Sequence, residues 1–137
     1  MKSPPDSQLL ATLGQASSGL LFPSESDAPF TPYGFPEPAG VEPTAASLLE
    51  AEQLPGDTPV ETITLDDLFD PFVAADPGAT AEDLADATRY RELVELLSHE
   101  LTHLRVYRVG KTDIDVYILG QDACGAWLGL KTHVVET

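Results

Sequence analysis

Positive charge is almost absent from the first part of this chain. From Ser3 to Thr88 the sequence contains sixteen acidic residues and no lysine or arginine, and every basic residue except Lys2 lies at or after Arg89. With 23 Asp and Glu against 7 Lys and Arg, the formal charge is −16. Because phosphate recognition depends on clustered cations, this composition excludes direct binding to nucleic acid and favours a basic partner.

Cysteine and long apolar runs are also scarce. Cys124 is the only cysteine, so the chain can form neither an internal disulfide nor a zinc site with four thiolates. The apolar stretch after the N-terminus is interrupted by Thr12, Gly14 and Gln15, and no segment approaches the roughly 18 apolar residues of a membrane helix. We therefore expect no signal peptide, no membrane association and a cytoplasmic location.

The rest of the composition is that of a globular protein. Hydrophobic residues make up 42% and charged residues 22% of the chain, so we expect a single domain over residues 1–137. All twelve prolines lie between Pro4 and Pro77. We therefore expect residues 23–59 to be proline-rich and irregular, and residues 80–137 to contain a long helix followed by antiparallel strands.

Three short helices are predicted from residues that can cap a helix N-terminus. These capping residues are Asp6, Thr44 and Thr64. The longest helical pattern covers about residues 81–102. Its apolar stripe consists of Leu84, Ala87, Tyr90, Val94, Leu97 and Leu101. Such a stripe must pack on another layer, and the strand-like sequence that follows the helix predicts that this layer is a sheet.

Alternating apolar residues predict strands over residues 60–63, 105–109, 113–119 and 126–135. If Gly110 and Lys111 form a two-residue turn, Arg108 lies opposite Asp113, and this hairpin has one polar and one apolar face. These elements predict an α+β fold.

The segment 30–36 contains two prolines, so we expect it at a sheet edge or in a loop rather than in a central strand. It also carries three aromatic residues, Phe30, Tyr33 and Phe35. They can either contact a partner or pack under the long helix, and the sequence leaves both alternatives open.

His99, Glu100 and His103 match the H-E-x-x-H pattern, in which two helical histidines bind zinc and the glutamate activates water. Helical geometry argues against a zinc site here. With the core residue Leu97 at 0°, His99 and His103 fall at about 200° and 240°, away from the apolar stripe. A catalytic zinc also needs a third ligand, and the only remaining histidine is His133.

Two weaker patterns are interpreted as structural. Cys124 and His133 could act as nucleophile and base, but the cysteine lies in a turn with nothing nearby in sequence to activate it. Asp66, Asp67 and Asp70 are expected to form a solvated helix face rather than a metal site. No phosphate-binding loop or other cofactor motif occurs, so no cofactor is predicted.

Three segments resemble the nuclease A inhibitor family: ASSGLLFPSES at 16–26, VYRVGKTDIDVYILG at 106–120 and KTHVVET at 131–137. The resemblance implies an α-β-α sandwich with a central, mainly antiparallel sheet and helices on both faces. It also implies a non-enzymatic protein whose partner is a sugar-non-specific, Mg²⁺-dependent endonuclease.

In that family, the Glu of the Ser-Glu-Ser segment and the C-terminal Thr are presented at the active-site metal of the nuclease. These positions correspond to Glu25 and Thr137. Together with the surrounding loops, the predicted partner-binding residues are Ser24, Glu25, Ser26, Asp27, Asp76, Glu136 and Thr137. They would imitate substrate phosphate without a metal site of their own. A small zinc hydrolase and an acidic adaptor for another basic protein are the alternatives.

Overall fold

The structure is a computed structural model that describes residues 7–18, 21–22, 28–35, 42–68, 81–122 and 125–135. Its helices are α1 (Ser7–Ala16), α2 (Ala45–Ala51) and α3 (Ala81–Glu100), with an additional helical turn over residues 65–68. Its strands are β1 (Leu21–Phe22), β2 (Ala28–Pro29), β3 (Thr31–Gly34), β4 (Val60–Ile63), β5 (Thr102–Val109), β6 (Asp113–Gln121) and β7 (Trp127–Val135).

The five longest strands form one sheet in the order β3-β7-β6-β5-β4, and every neighbouring pair is antiparallel. Strands β1 and β2 form a separate antiparallel pair. Hairpin connections join β5 to β6 and β6 to β7, which makes these three strands the centre of the fold.

The predicted helix starts at Thr44 and Thr64 are confirmed. The Thr44 hydroxyl accepts a hydrogen bond from the Ser47 amide and the Ser47 hydroxyl accepts one from the Thr44 amide, which is a capping box. The Thr64 hydroxyl accepts a hydrogen bond from the Asp67 amide at 3.0 Å. Asp6, the predicted cap of α1, lies outside the described residues.

One face of the sheet, which we call the α1/α3 face, packs against α1 and α3. Leu13 from α1 and Leu97 from α3 are buried there against Val116 and Ile118 from β6. The opposite face, the α2 face, packs Leu48 from α2 in a second buried cluster. That cluster also contains Phe35, Tyr107, Tyr117, Leu119 and Trp127.

The predicted α+β sandwich with helices on both faces is therefore confirmed. The expected polar face of the β5–β6 hairpin is wrong, because both faces of the hairpin are buried. Val106 and Val116 lie in the cluster of the α1/α3 face, and Tyr107 and Tyr117 lie in the cluster under α2.

The predicted register of this hairpin is also wrong. Arg108 pairs with Val116 rather than with Asp113, and the last pair before the turn is Val109 with Asp115. The connection is therefore longer than two residues. Gly110 has a φ of 118°, and a Cβ atom there would lie 2.3 Å from the Asp113 carbonyl oxygen, so the turn depends on a residue without a side chain.

Strand β3 lies at the edge of the sheet, as its prolines predicted. Of its neighbouring aromatic residues, Phe30 is buried in the cluster that contains Tyr90 from α3, and Phe35 is buried in the cluster under α2. Both therefore pack in the core. Residues 23–59, expected to be irregular, contain β2, β3 and α2.

Candidate functional site

The seven predicted partner-binding residues all lie outside the described part of the chain. They are Ser24, Glu25, Ser26, Asp27, Asp76, Glu136 and Thr137. The structure does describe residues next to six of them in sequence. Phe22 and Ala28 flank the segment that contains residues 24–27, and Val135 precedes Glu136 and Thr137. The candidate site is therefore defined by how these flanking residues are held.

Strands β1 and β2 hold the two ends of the segment that contains Glu25. Phe22 pairs with Ala28 and Leu21 pairs with Pro29, so residues 23–27 connect two paired strand ends. An antiparallel ladder fixes the separation of opposite residues at about 5 Å. The segment therefore begins and ends at neighbouring points of the structure.

Strand β7 carries the chain toward its C-terminus beside the same pair of strands. The Thr132 hydroxyl lies 3.4 Å from the Ala28 carbonyl oxygen and 3.2 Å from the Pro29 carbonyl oxygen. Val135, the last described residue, pairs with Asp113 of β6 and lies three residues after Thr132. At about 3.3 Å per residue, these two anchor points on β7 are about 10 Å apart.

A charged group that the sequence analysis missed lies on the α2 face at the end of β7. The His133 Nδ1 atom is 3.0 Å from an Asp115 carboxylate oxygen, and its Nε2 atom is 3.6 Å from one of Asp113. The Asp113 side chain is 80% exposed, so it presents its carboxylate to solvent. Only the strand register brings these residues together, because His133 pairs with Asp115 across β6 and β7.

Lys131 and Tyr117 lie next to this charged group. The Lys131 ammonium is 5.2 Å from the centre of the Tyr117 ring, within the range of a cation–π contact. Burial, followed by the charges of Glu52 and Asp115, raises the pKa of the Tyr117 hydroxyl above its ordinary value. The tyrosine is therefore neutral at physiological pH and supplies an aromatic support for the lysine.

The first segment of the resemblance begins at the end of α1. Ser17 is buried, and its hydroxyl donates to the Leu13 carbonyl oxygen at 2.8 Å. The guanidinium of Arg89 on α3 donates to the Ser18 carbonyl oxygen. The Ser17 bond closes the end of α1, and the Arg89 bond attaches residue 18 to α3 three residues before β1 begins.

The H-E-x-x-H pattern does not form a helical zinc site. Helix α3 ends at Glu100, so His103 belongs to β5, where its φ of 54° accompanies an irregularity in the strand register. The His99 side chain is 84% exposed. Within the described ranges, no group of three or more His, Cys, Asp or Glu residues could hold a metal ion.

The other weak patterns do not converge on a site either. Cys124 lies outside the described residues, so the structure does not test its pairing with His133. Asp66 and Asp67 are exposed, as expected of a solvated helix face, and Asp70 is not among the described residues. None of the helices in the described ranges has the length and apolar character needed to cross a membrane.

The fold and charge define a small acidic α+β sandwich whose central sheet is antiparallel. A family model of nuclease A inhibitor-like proteins matches residues 7–137, and the chain belongs to this family. A search of curated proteins gave no match. Membership of the family supports a role as a nuclease inhibitor in general.

Proposed function

We propose that this protein is a non-enzymatic inhibitor of a sugar-non-specific, Mg²⁺-dependent endonuclease, and that it blocks the active site with acidic groups that imitate substrate phosphate. The observation that carries the proposal is the family match over residues 7–137. The charge of −16 agrees with it, because a nuclease groove must be basic to hold a polyanion.

In the proposed complex, the Glu25 carboxylate and the C-terminal carboxylate of Thr137 approach the metal of the nuclease. Glu25 lies three residues before Ala28, and Thr137 lies two residues after Val135. A chain spans at most about 3.6 Å per residue, so Glu25 lies within about 11 Å of Ala28, and Thr137 within about 7 Å of Val135. The hydroxyl of Thr132 ties the strand that begins at Ala28 to the strand that ends at Val135.

Ser24, Ser26, Asp27, Asp76 and Glu136 are proposed to surround these two carboxylates. Carboxylates accept strong, charge-assisted hydrogen bonds from the arginine and lysine side chains that otherwise bind phosphate. The inhibitor would then satisfy the cations of the groove in place of nucleic acid.

The excess negative charge is proposed to accelerate association. A one-signed surface attracts an oppositely charged groove over a distance set by the ionic strength, about 10 Å at 0.1 M salt. We therefore expect the association rate constant to fall steeply as salt is added, while the dissociation rate constant changes less. The proposal places this encounter in the cytoplasm.

The proposal is tested with the purified chain and nuclease A, with digestion of duplex DNA in Mg²⁺ as the readout. We expect one equivalent of the protein to stop digestion, and we expect the nuclease to recover when the complex is diluted below its dissociation constant. Unchanged digestion at a tenfold excess of the protein would refute the assignment to this target and would favour an acidic adaptor for a different basic protein.

A further inference from the structure

We propose that Thr132 is a positioning residue: its hydroxyl fixes the segment that contains Glu25 relative to the strand that leads to Thr137. The inference rests on the proposed function, because it concerns how the two inhibitory segments are held. It adds a residue that itself contacts no partner.

The position of Thr132 in β7 makes its polar side chain conspicuous. Leu128, Leu130 and Val134, which point to the same face of the strand, are all buried in the core of the α1/α3 face. Thr132 is only 3% exposed and interrupts this apolar series. Valine has nearly the same shape and would serve the packing, so the hydroxyl needs another explanation.

The hydrogen bonds of the hydroxyl supply that explanation. A buried hydroxyl is costly unless it is hydrogen-bonded, and this one donates toward the carbonyl oxygens of Ala28 at 3.4 Å and Pro29 at 3.2 Å. Ser17 is the other buried polar residue among those described, and its hydroxyl bonds within its own helix turn. The Thr132 hydroxyl instead bonds to Pro29 and Ala28, which lie 103 and 104 positions earlier in the chain.

The attachment matters because β2 is not a strand of the main sheet. It pairs with β1, and that two-stranded unit is separate from the five-stranded sheet to which β7 belongs. Only Phe30 separates β2 from β3, whose first residue, Thr31, pairs with Lys131 of β7, so the ladder of the main sheet ends just before β2. The Thr132 hydroxyl supplies a hydrogen bond between the two units.

The consequence for binding is preorganisation. Two carboxylates that must reach one metal site bind more tightly when their spacing is set before the encounter, because less conformational freedom is lost on association. A net contribution typical of one neutral hydrogen bond corresponds to about a three- to tenfold change in the dissociation constant. We expect Thr132→Val to weaken binding by this factor, with most of the change in the dissociation rate constant.

The experiment measures dissociation constants for nuclease A with the full chain and its variants. Thr132→Val removes the hydroxyl and keeps the shape, Thr132→Ser keeps the hydroxyl, and Thr102→Val is the matched control. The Thr102 hydroxyl also donates to a backbone carbonyl, that of Gln121 at 3.3 Å, but it does so at the opposite end of the sheet. We expect Thr132→Ser and Thr102→Val to bind like the wild type.

A double-mutant cycle separates positioning from a general loss of stability. If Thr132 acts by placing the Glu25 segment, the penalty of Thr132→Val shrinks when Glu25→Ala is already present. Equal penalties in the two backgrounds, or wild-type binding by Thr132→Val, would overturn the inference. If Thr132→Val does not fold, Thr132→Ala compared with Thr132→Ser gives the same test, and Thr132→Ala must bind the more weakly.

The outcomes also separate this inference from the proposed function. Suppose that the wild type binds nuclease A, that Glu25→Ala weakens binding and that Thr132→Val does not. Only the role of Thr132 is then refuted, and the proposed function stands. Wild-type protein that does not bind nuclease A refutes both the assignment of this nuclease as the target and the role of Thr132 in binding it.

Discussion

Gly129 on β7 lies so close to Ile118 on β6 that a Cβ atom added to the glycine would be 1.8 Å from the Ile118 carbonyl oxygen. The two strands are neighbours at the centre of the sheet, where Gly129 pairs with Leu119. Any side chain here must push apart two backbones rather than rotate a flexible neighbour. We expect Gly129→Ala to lower the free energy of unfolding by about 3 kcal/mol, measured by urea denaturation.

Gly56→Ala is the matched control for this prediction. A Cβ atom at Gly56 has no neighbour within 4 Å. The substitution should leave the free energy of unfolding within about 0.5 kcal/mol of wild type or raise it slightly by restricting the unfolded chain. Similar losses for the two variants would show that the close approach of β6 and β7 is not the cause.

The capping box at the start of α2 gives a second prediction. Thr44→Ala removes the oxygen that accepts from the Ser47 amide, whereas the bond from the Thr44 amide to the Ser47 hydroxyl uses only the Thr44 backbone and remains. We expect a loss of about 1 kcal/mol in the free energy of unfolding. Thr44→Ser, which keeps the acceptor, should lose much less, and equal losses for the two variants would contradict the assignment of the cap.

Alkaline pH should destabilise the fold through Tyr33. Burial, followed by the hydrogen bond that its hydroxyl donates to Glu52, raises the pKa of Tyr33 above its ordinary value. A tyrosine with a raised folded-state pKa contributes stability that is complete below the unfolded value of about 10 and is lost as the pH rises beyond it.

We therefore expect the free energy of unfolding to fall above about pH 10. Tyr33→Phe should make this fall shallower while costing about 1 kcal/mol at neutral pH through the lost hydrogen bond. The check is denaturation at a series of pH values. An unchanged alkaline slope in Tyr33→Phe would contradict the role of this hydroxyl.

The exposed histidines provide a prediction about the zinc alternative. His99 lies at the end of α3 and His103 in β5, so their side chains are not paired on one helix face. We expect Ala at both positions to leave inhibition of nuclease A within about twofold of wild type, a change of about 0.4 kcal/mol. Stoichiometric zinc in the purified protein, lost in this double variant, would contradict this interpretation.

Local sequence signals predicted much of the fold. The hydroxyls of Thr44 and Thr64 act on amides three residues away, so the caps could be recognised from short patterns. The edge position of β3 followed from its prolines in the same way.

The errors concern properties that depend on distant residues. The register of the β5–β6 hairpin depends on the positive φ of Gly110, and a glycine is also compatible with a shorter turn. The polar face expected for this hairpin is wrong because helices cover both faces of the sheet, with Val106 and Val116 buried on one face and Tyr107 and Tyr117 on the other. The alternation within the two strands gives no sign of a second covering layer.

The candidate site shows the same difference between short sequence patterns and contacts of distant residues. Glu25 and Thr137 came from a resemblance between short segments, which identifies residues without placing them. The contact of His133 with Asp113 and Asp115, and the bonds of Thr132 to Ala28 and Pro29, depend on strand pairing and were not predictable from spacing.

The most direct test of the central claim is the dissociation constant for nuclease A measured with three variants. Glu25→Ala and a short C-terminal extension beyond Thr137 each remove one proposed carboxylate contact, and Asp66→Ala removes an exposed carboxylate from the helical turn at 65–68. The proposal predicts a loss of about 2–5 kcal/mol for Glu25→Ala, a comparable loss for the extension and wild-type binding for Asp66→Ala. Equal binding by all three variants and the wild type would contradict it.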